Sequence, residues 1–334
     1  MEILILFNIA KELKKGKPSD LDCEQEIGII VPLVSEILRG KGYQVSTLET
    51  TYDLWEDLKL YKKRTDLVLN LAEGFGGTNA NEPLVPAMLE ALEIPFTGAS
   101  SRNMHFTMDK EKTKLVLASH GVPVAPHQLV RSDKEVIRDD LRFPLIVKPV
   151  REEASVGVYA DNVVSSQEDL DRKVRESLSL YSQPALVEKF ITGREISVGI
   201  VGNVPSLHIF PPLEFLFIGA KSPLEKIRSY EYKWGGKKEQ MVKAELPEIL
   251  VNQLKRYTEI AFRETDCRDY ARMDFRLDKN DNPYLLEVNY NPGIGPNTHG
   301  LNNTLTRMAS FEGFGFEDFI ESIVQSAARR YGLL

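Results

Sequence analysis

The sequence of 334 residues lacks the features that mark several common protein classes. Its two cysteines, Cys23 and Cys267, have no metal-type spacing and are too few for a disulfide framework. We therefore expect a protein of a reducing compartment, the cytoplasm. The G-x-x-x-x-G-K-[ST] string of P-loop proteins is absent, and no G-x-G-x-x-G follows the first apolar run. These absences exclude a P-loop and disfavour a Rossmann dehydrogenase.

An excess of basic residues is also missing. Lys and Arg number 42 against 49 Asp and Glu, which gives a net charge of −7. Nucleic-acid binders and proteins of anionic membranes need a basic field, so neither partner is expected. The longest apolar stretch, residues 197–220, contains Glu214 and three prolines and makes a poor membrane span. Residues 1–7 are expected to form a strand rather than a signal peptide.

The pattern of predicted strands and helices changes near residue 100. Before that point, strand and helix patterns alternate, which indicates an α/β domain with a mostly parallel sheet. After it, antiparallel strand patterns with interspersed helices indicate two α+β domains. The predicted domains are 1–98, 99–187 and 188–334. Within them we expect residues 94–98 to end a strand, and residues 145–149 to pair with residues 157–160.

An acidic hairpin is the most informative segment. Residues 278–283 are rich in turn formers, so the strands on either side should fold back on each other. With the hairpin axis between residues 280 and 281, Asp274 lies opposite Glu287, and Arg272 and Asn289 share their face. The opposite face is apolar and carries Met273, Phe275, Leu277, Leu286 and Val288.

Two carboxylates that face each other across a sheet repel unless something neutralises them. A divalent cation would do so, and the oxygens of Asp274, Glu287 and Asn289 suit Mg²⁺. The alternative is a solvated polar sheet face on which Arg272 pairs with Asp274. The segment that follows, Tyr290 to Gly293, leaves the strand into a Pro-Gly turn whose backbone amides could meet an anion.

Further candidates face an anionic ligand. Lys148 interrupts an apolar strand, and the loop after it, residues 151–157 with Ser155, could fold over phosphates. A snorkelling edge lysine and an ordinary loop are the alternative. Glu188, Lys189 and Glu195 could contact a purine nucleoside, or they could be ion-paired surface residues. Lys110, at a helix start, is expected to be an exposed lysine unless it meets a phosphate.

Six short motifs stand in one order along the chain: Met108-Asp-Lys110, Ile146-Val-Lys-Pro149, Arg151 to Gly157, Val187-Glu-Lys189 with Gly193-Arg-Glu195, Arg272-Met-Asp274, and Leu286-Glu-Val-Asn289 with Pro292-Gly293. In this order the chain resembles ATP-grasp enzymes of the D-alanine–D-alanine ligase family. The resemblance covers most of the chain from Met108 onward, and more loosely the first hundred residues. It implies an α/β N-terminal domain plus two α+β domains that form an ATP-grasp fold.

The resemblance also implies ligands and residue roles. The cofactors would be ATP and Mg²⁺, with two ions expected and Mn²⁺ as an alternative, and the enzyme would be a homodimer. The implied catalytic residues are Arg272, Gly293, Glu24 and Ser155. The implied nucleotide-binding residues are Lys110, Lys148, Glu188, Lys189, Ile191, Glu195 and Leu286. The implied metal ligands are Asp274, Glu287 and Asn289.

The sequence departs from the family where amino-acid substrates bind. Ala154 replaces the first serine of the phosphate loop, Trp234 a tyrosine, and Gly300 lies near the position of another serine. We therefore expect an ATP-dependent carboxylate–amine ligase, acting through an acyl phosphate, that is a paralogue with other amino-acid-like substrates. A D-alanine–D-alanine ligase proper and a non-catalytic nucleotide-binding module are the alternatives. Residues 151–157 and 219–239 are the predicted lids.

Overall fold

The computed structural model describes residues 1–9, 16–17, 26–76, 78–152, 155–296 and 303–334. The strands of these residues form three sheets that follow one another along the chain. The first sheet is parallel and the other two are antiparallel. This confirms the predicted fold class, an α/β domain followed by two α+β parts.

The N-terminal sheet has the strand order β2-β1-β3. Its elements are β1 (Glu2–Phe7), α1 (Ile27–Gly40), β2 (Gln44–Glu49), α2 (Leu54–Tyr61), β3 (Leu67–Asn70) and α3 (Leu84–Ala91). Side chains alternate across the buried central strand β1. Ile3 and Ile5 pack with α1, whereas Leu4 and Leu6 pack with α2 and α3. Residues 94–98, predicted as a strand end, contribute only an isolated bridge between Phe96 and Val68.

The central sheet has the order β4-β7-β5-β6. Its elements are β4 (His127–Val130), β5 (Leu145–Pro149), β6 (Val163–Val164), α6 (Gln167–Tyr181) and β7 (Ala185–Lys189). The predicted pairing of residues 145–149 with residues 157–160 is wrong. β5 pairs instead with β6 and β7, because Gly157, with φ of +73°, and its neighbours turn away from the sheet.

The C-terminal sheet has the order β11-β10-β8-β12-β13, and β9 also pairs with β8. Its strands are β8 (Arg194–Asn203), β9 (Ser206–Ile209), β10 (Leu213–Phe217), β11 (Glu239–Lys243), β12 (Tyr270–Leu277) and β13 (Pro283–Asn289). The helices are α4 (Ser101–Thr107), α5 (Lys110–Ser119), α7 (Tyr230–Lys233), α8 (Glu248–Glu264), α9 (Thr304–Ser310) and α10 (Phe316–Arg330). The apolar side of β8 and β12 packs against α4, α5 and α8.

The change from the central to the C-terminal sheet falls between Lys189 and Arg194. The predicted boundary after residue 187 lies inside β7, because Glu188 and Lys189 still pair with the neighbouring strands of the central sheet. Helices α4 and α5 precede the central sheet in sequence but pack on the C-terminal one. The three-domain division itself stays a prediction.

The C-terminal helix α10 ties the first and last sheets together. Its apolar side chains share one core with α1, β1 and β8. At its end, Arg330 donates to Asp269 and to the Phe96 carbonyl, and Asp269 also accepts from the Gly98 amide. Among the helices that the structure describes, none is long and apolar enough to cross a membrane.

Candidate active site

A cavity opens between the central and the C-terminal sheets. The space between its walls is about 750 Å³, part of which is open to solvent at the mouth. Both sheets and α5 contribute charged side chains to its wall, and residues 155–158 and 227–233 cover it. The lining residues are Lys110, Ile146, Lys148, Glu152, Ser155, Val158, Glu188, Lys189, Phe190, Ile191, Glu195, Ile227, Arg228, Lys233, Arg272, Asp274, Arg276, Leu286 and Glu287.

The acidic hairpin has the predicted register at the end of its strands farther from the turn. Asp274 lies opposite Glu287, and Arg272 lies opposite Asn289. Nearer the turn the register shifts, and Phe275 pairs with Leu285. The extra residue of this bulge reverses the alternation on β13, as bulges do.

Because of this bulge, Leu286 was placed on the wrong face by simple alternation. Leu285 is fully buried in the core below the sheet, whereas Leu286 lines the cavity. The structure therefore places Leu286 at the cavity and not in the core, and the nucleotide-binding role that the family resemblance implies for it stays a prediction.

Asp274 is surrounded by hydrogen-bond donors. Arg272 Nε and Nη2 donate to its two oxygens at 2.9 Å each, Ser197 Oγ donates at 2.5 Å, and Asn289 Nδ2 donates at 2.9 Å. Burial alone would raise the pKa of Asp274, but the charge and hydrogen bonds of Arg272 with that of Ser197 outweigh it and lower the pKa. A carboxylate has about four lone-pair positions, so these donors occupy all of them.

Glu287 faces a different cation. Its Oε2 lies 3.5 Å from Nζ of Lys110, which also donates to the Glu152 carbonyl. Burial would raise the pKa of Glu287, but the charge of Lys110, helped by Lys148 and Arg272, lowers it. The expectation of an exposed Lys110 is wrong, because this side chain is buried between α5 and β13.

The oxygen ligands expected for a metal lie together here. Asp274 and Glu287 offer carboxylates from adjacent strands, and Asn289 has an amide nitrogen on Asp274, which leaves its oxygen as the atom offered to a ligand. Across the residues that the structure describes, no three His, Cys, Asp or Glu side chains form a metal cluster. Two carboxylates and an amide oxygen nevertheless suit a hard divalent cation.

A buried ionic network lies behind the cavity wall. Glu188 Oε2 lies 3.0 Å from Nζ of Lys114, and Glu188 Oε1 lies 3.8 Å from Nζ of Lys148. Lys114 also donates to the Leu285 carbonyl at 3.0 Å. Burial lowers the pKa of Lys114 to about 8, although Glu188 opposes that shift. Lys114 thus joins β7 to β13, a role that its position in the sequence did not reveal.

The other side of the cavity holds Ile191, Glu195 and Arg276. Glu195 Oε2 accepts from Arg276 Nη1 at 2.7 Å, and Ile191 contributes a carbonyl to the same guanidinium. Lys189 instead points its ammonium at the carbonyls of Arg142 and Phe143, 2.9 Å from each. Arg276 was missed in the sequence, although the spacing Arg272, Asp274, Arg276 already placed it on the cavity face.

The two predicted lids meet above the cavity. Ser155 Oγ donates to the Arg228 carbonyl at 3.1 Å, and the Tyr230 amide donates to the Val158 carbonyl at 2.9 Å. Trp234 packs with Val156, and within the described chain its buried indole nitrogen has no hydrogen-bond partner. We refer to residues 219–239 as the cover.

Three positions singled out in the sequence, Glu24, Ala154 and Gly300, lie outside the described residues. Gly293 follows β13, and a Cβ there would lie 2.5 Å from Oδ1 of Asn303. A side chain at this position would therefore require Asn303 to move. The roles assigned to the site residues stay predictions.

The comparisons with known proteins agree with this architecture. The family model described as "D-ala D-ala ligase C-terminus" matches residues 116–325. A D-alanine–D-alanine ligase of Geobacter sulfurreducens is 31% identical over 313 residues, which cover 92% of this chain and 91% of the relative. The uncharacterized protein y4sG of Sinorhizobium fredii is 34% identical over 269 residues, which cover 80% of this chain and 76% of that protein.

Solved structures show the same fold at lower identity. The D-alanine–D-alanine ligase from Bacillus anthracis complexed with ATP has a TM-score of 0.77 at 20% identity, covering 100% of this chain and 99% of that one. The VanG D-Ala:D-Ser ligase from Enterococcus faecalis has a TM-score of 0.74 at 15% identity, covering 98% and 100%.

Replacement of Lys114 by Met tests the buried network. The change removes the nearer of the two lysines that face the buried Glu188, and removal of one partner from a buried pair costs about 3–5 kcal/mol. We expect urea unfolding to show a loss of that size. The double variant Lys114→Met/Glu188→Gln should recover part of it, because the underbalanced buried carboxylate is then gone, while Lys148 still interacts with Glu287. A single variant as stable as wild type would contradict the network.

Glu195 should make stability depend on pH. Burial raises its pKa to about 7 from 4.5, with Asp274 and Glu239 adding to the shift and Arg276 and Arg228 opposing it. The folded protein therefore binds a proton that the unfolded chain has released, so this contribution to stability is lost as pH rises from about 4.5 to 7. In unfolding experiments across this range, Glu195→Gln should remove that decline; an unchanged slope would reject the assignment.

Proposed function

Since the chain belongs to the D-alanine–D-alanine ligase family of ATP-grasp enzymes, ATP-dependent ligases that form C–N bonds, we propose that it joins an amino-acid-like carboxylate to an amine through an acyl phosphate. Enzymes of this family generally depend on ATP and a divalent metal. ADP and phosphate would be the other products.

One observation carries the proposal. Two carboxylates with lowered pKa values, Asp274 and Glu287, face Lys110, Lys148 and Arg272 within a single covered cavity. Phosphoryl transfer depends on positioning and charge neutralisation, and this arrangement supplies both. The same charges also argue against a module that binds a nucleotide without catalysis.

Asp274, Glu287 and Asn289 would hold the divalent cation, which supplies positive charge against the phosphate oxygens. Because the donors around Asp274 occupy its lone-pair positions, metal binding would require Arg272, Ser197 or Asn289 to release an oxygen. Arg272 lines the cavity, so its guanidinium could donate to a phosphate after such a release. Arginine and metal would then alternate as partners of Asp274.

In the proposed reaction, the carboxylate oxygen of the first substrate bonds to the γ-phosphorus and ADP leaves. The amine nitrogen then attacks the acyl carbon, loses a proton and expels phosphate. Lys110, Lys148 and Arg272 would neutralise the phosphoryl oxygens, and the Gly293 amide with Arg272 would stabilise the tetrahedral oxyanion. Glu24 would bind the amino group of the first substrate.

The acyl phosphate must be kept from water, which a closed site achieves. The contacts of Ser155 with Arg228 and of Val158 with Tyr230 support this role for the loop and the cover. We propose that nucleotide binding occurs beneath them, with Ile191, Leu286, Glu188 and Lys189 toward the adenine and Glu195 toward the ribose. Dimerisation stays a prediction.

The substrate pair is the open part of the proposal. Trp234 packs against Val156 where the family carries a tyrosine, and Ala154 and Gly300 also differ from it, which supports a substrate pair other than two D-alanines. A D-alanine–D-alanine ligase proper is the second candidate, supported by the Geobacter relative. An ADP-release screen over amino-acid pairs and small carboxylates decides between them; efficient dipeptide formation from D-alanine would reject the paralogue.

Glu287→Gln tests the metal assignment. Loss of this carboxylate should lower Mg-ATP-dependent ligation at least ~100-fold, since even residues that only support metal ligands cost 10–100-fold when removed. Glu214→Gln is the matched control, because Glu214 pairs with Arg194 outside the cavity lining. Ligation rates of both purified variants provide the measurement. Full activity in Glu287→Gln would show that the metal assignment is wrong.

A further inference from the structure

Arg276 is a buried cation that donates four hydrogen bonds on the side of the cavity formed by Ile191 and Glu195. It lies on β12 two residues after Asp274, and only 3% of its side chain is exposed. A guanidinium removed from water needs acceptors for its five N–H groups. The positions of its acceptors therefore show which segments of the chain Arg276 connects.

The acceptors come from three separate parts of the structure. Nε donates to the Ile191 carbonyl at 2.6 Å and Nη2 to the Gly193 carbonyl at 3.1 Å. Nη1 donates to Glu195 Oε2 at 2.7 Å and to the Lys226 carbonyl at 2.7 Å. One side chain thus contacts three segments: residues 190–193, which we call the connector between the central and C-terminal sheets, strand β8, and the cover.

The connector packs closely against β12. A Cβ at Gly193 would lie 2.0 Å from the Leu277 carbonyl oxygen, so this backbone lies directly against the end of the strand. The guanidinium carbon of Arg276 also lies 4.6 Å from the ring centre of Phe190, in a cation–π contact. Ile191 and Phe190 line the cavity from this connector, so Arg276 sets the position of that wall.

The cover forms one hydrogen bond with Arg276 and one with Glu195. Its Lys226 carbonyl accepts from Arg276, and its Arg228 amide donates to Glu195 Oε2 at 3.4 Å. Glu195 is therefore shared between Arg276 and the backbone of the cover. A change in this ion pair reaches the wall and the cover together.

We propose that Arg276 is a positioning residue that fixes the nucleobase and ribose wall of the cavity and links it to the cover. Its loss should weaken binding of a nucleoside triphosphate and loosen the cover, while the phosphate-transfer residues on the far side keep their geometry. The inference rests on the proposed function, because it requires ATP to bind in this cavity.

The test compares Arg276→Met, Arg276→Gln and Arg276→Lys with Arg194→Met. Arg194 is the control, because it forms an ion pair from β8 with Glu214, at 2.7 and 2.8 Å, and its side chain donates otherwise to the Glu245 carbonyl, which lies outside the cover. Affinity for ATP is measured by calorimetry, and KM and kcat by ADP release. If Arg276→Met does not fold, the Gln and Lys variants carry the comparison.

We expect Arg276→Met and Arg276→Gln to raise the KM and Kd for ATP about 10-fold or more, as loss of charged hydrogen bonds implies, with a much smaller change in kcat. Arg276→Lys should be intermediate, because an ammonium can pair with Glu195 but cannot span the two connector carbonyls. Arg194→Met should match wild type.

The cover gives a second readout. The chain has two tryptophans, so in a Trp55→Phe background Trp234 alone reports on the cover. We expect Arg276→Met to change Trp234 emission without nucleotide and to speed tryptic cleavage within residues 219–239, whereas Arg194→Met should do neither. Urea unfolding of both variants separates these changes from a general loss of stability, because Arg276 is buried whereas Arg194 is one-third exposed.

The outcomes separate the two proposals. If wild-type protein binds no ATP, the proposed function fails and this inference fails with it. If wild type binds ATP and the Arg276 variants bind it equally well, the inference is wrong and the proposed function stands. The inference would also be wrong if kcat fell and KM rose by the same factors in the Arg276 and Arg194 variants.

Discussion

The opposition of Asp274 and Glu287 across the β12–β13 hairpin is the constraint on which the site depends. Two carboxylates that lie opposite each other on a sheet face lining a partly covered cavity are stable only if cations surround them. The structure supplies these from elements far apart in sequence: Arg272 from the same strand, Lys110 from α5 and Lys148 from the central sheet. The cavity is the place where these charges meet.

The cations require partners in turn, and this extends the constraint into the core. Lys148 shares Glu188 with Lys114, and Lys114 returns to the hairpin through the Leu285 carbonyl. The ion pairs that balance the charges of the cavity therefore also connect the central and C-terminal sheets. Opening the cleft between them would separate groups that are costly to leave unpaired in a buried environment.

Much of the site follows from local pattern, and the exceptions have identifiable causes. The hairpin register at Asp274 and Glu287 follows from the turn formers and side-chain alternation. The bulge that moves Leu286 into the cavity leaves no clear mark in the sequence, because Leu285 and Leu286 are chemically identical. Lys110 was expected at the surface, since a single charge at a helix start says nothing about which strand packs above it.

The sequence by itself determined the order of the motifs, the strand and helix periodicities, and the resemblance to the D-alanine–D-alanine ligase family. These depend on neighbours within a few residues, where backbone geometry fixes which side chains share a face. The tertiary structure alone decided which charges pair: Glu188 with Lys114, Glu195 with Arg276, and Glu287 with Lys110. Such pairs join residues more than 70 positions apart, because electrostatic interactions depend on distance in space rather than on separation along the chain.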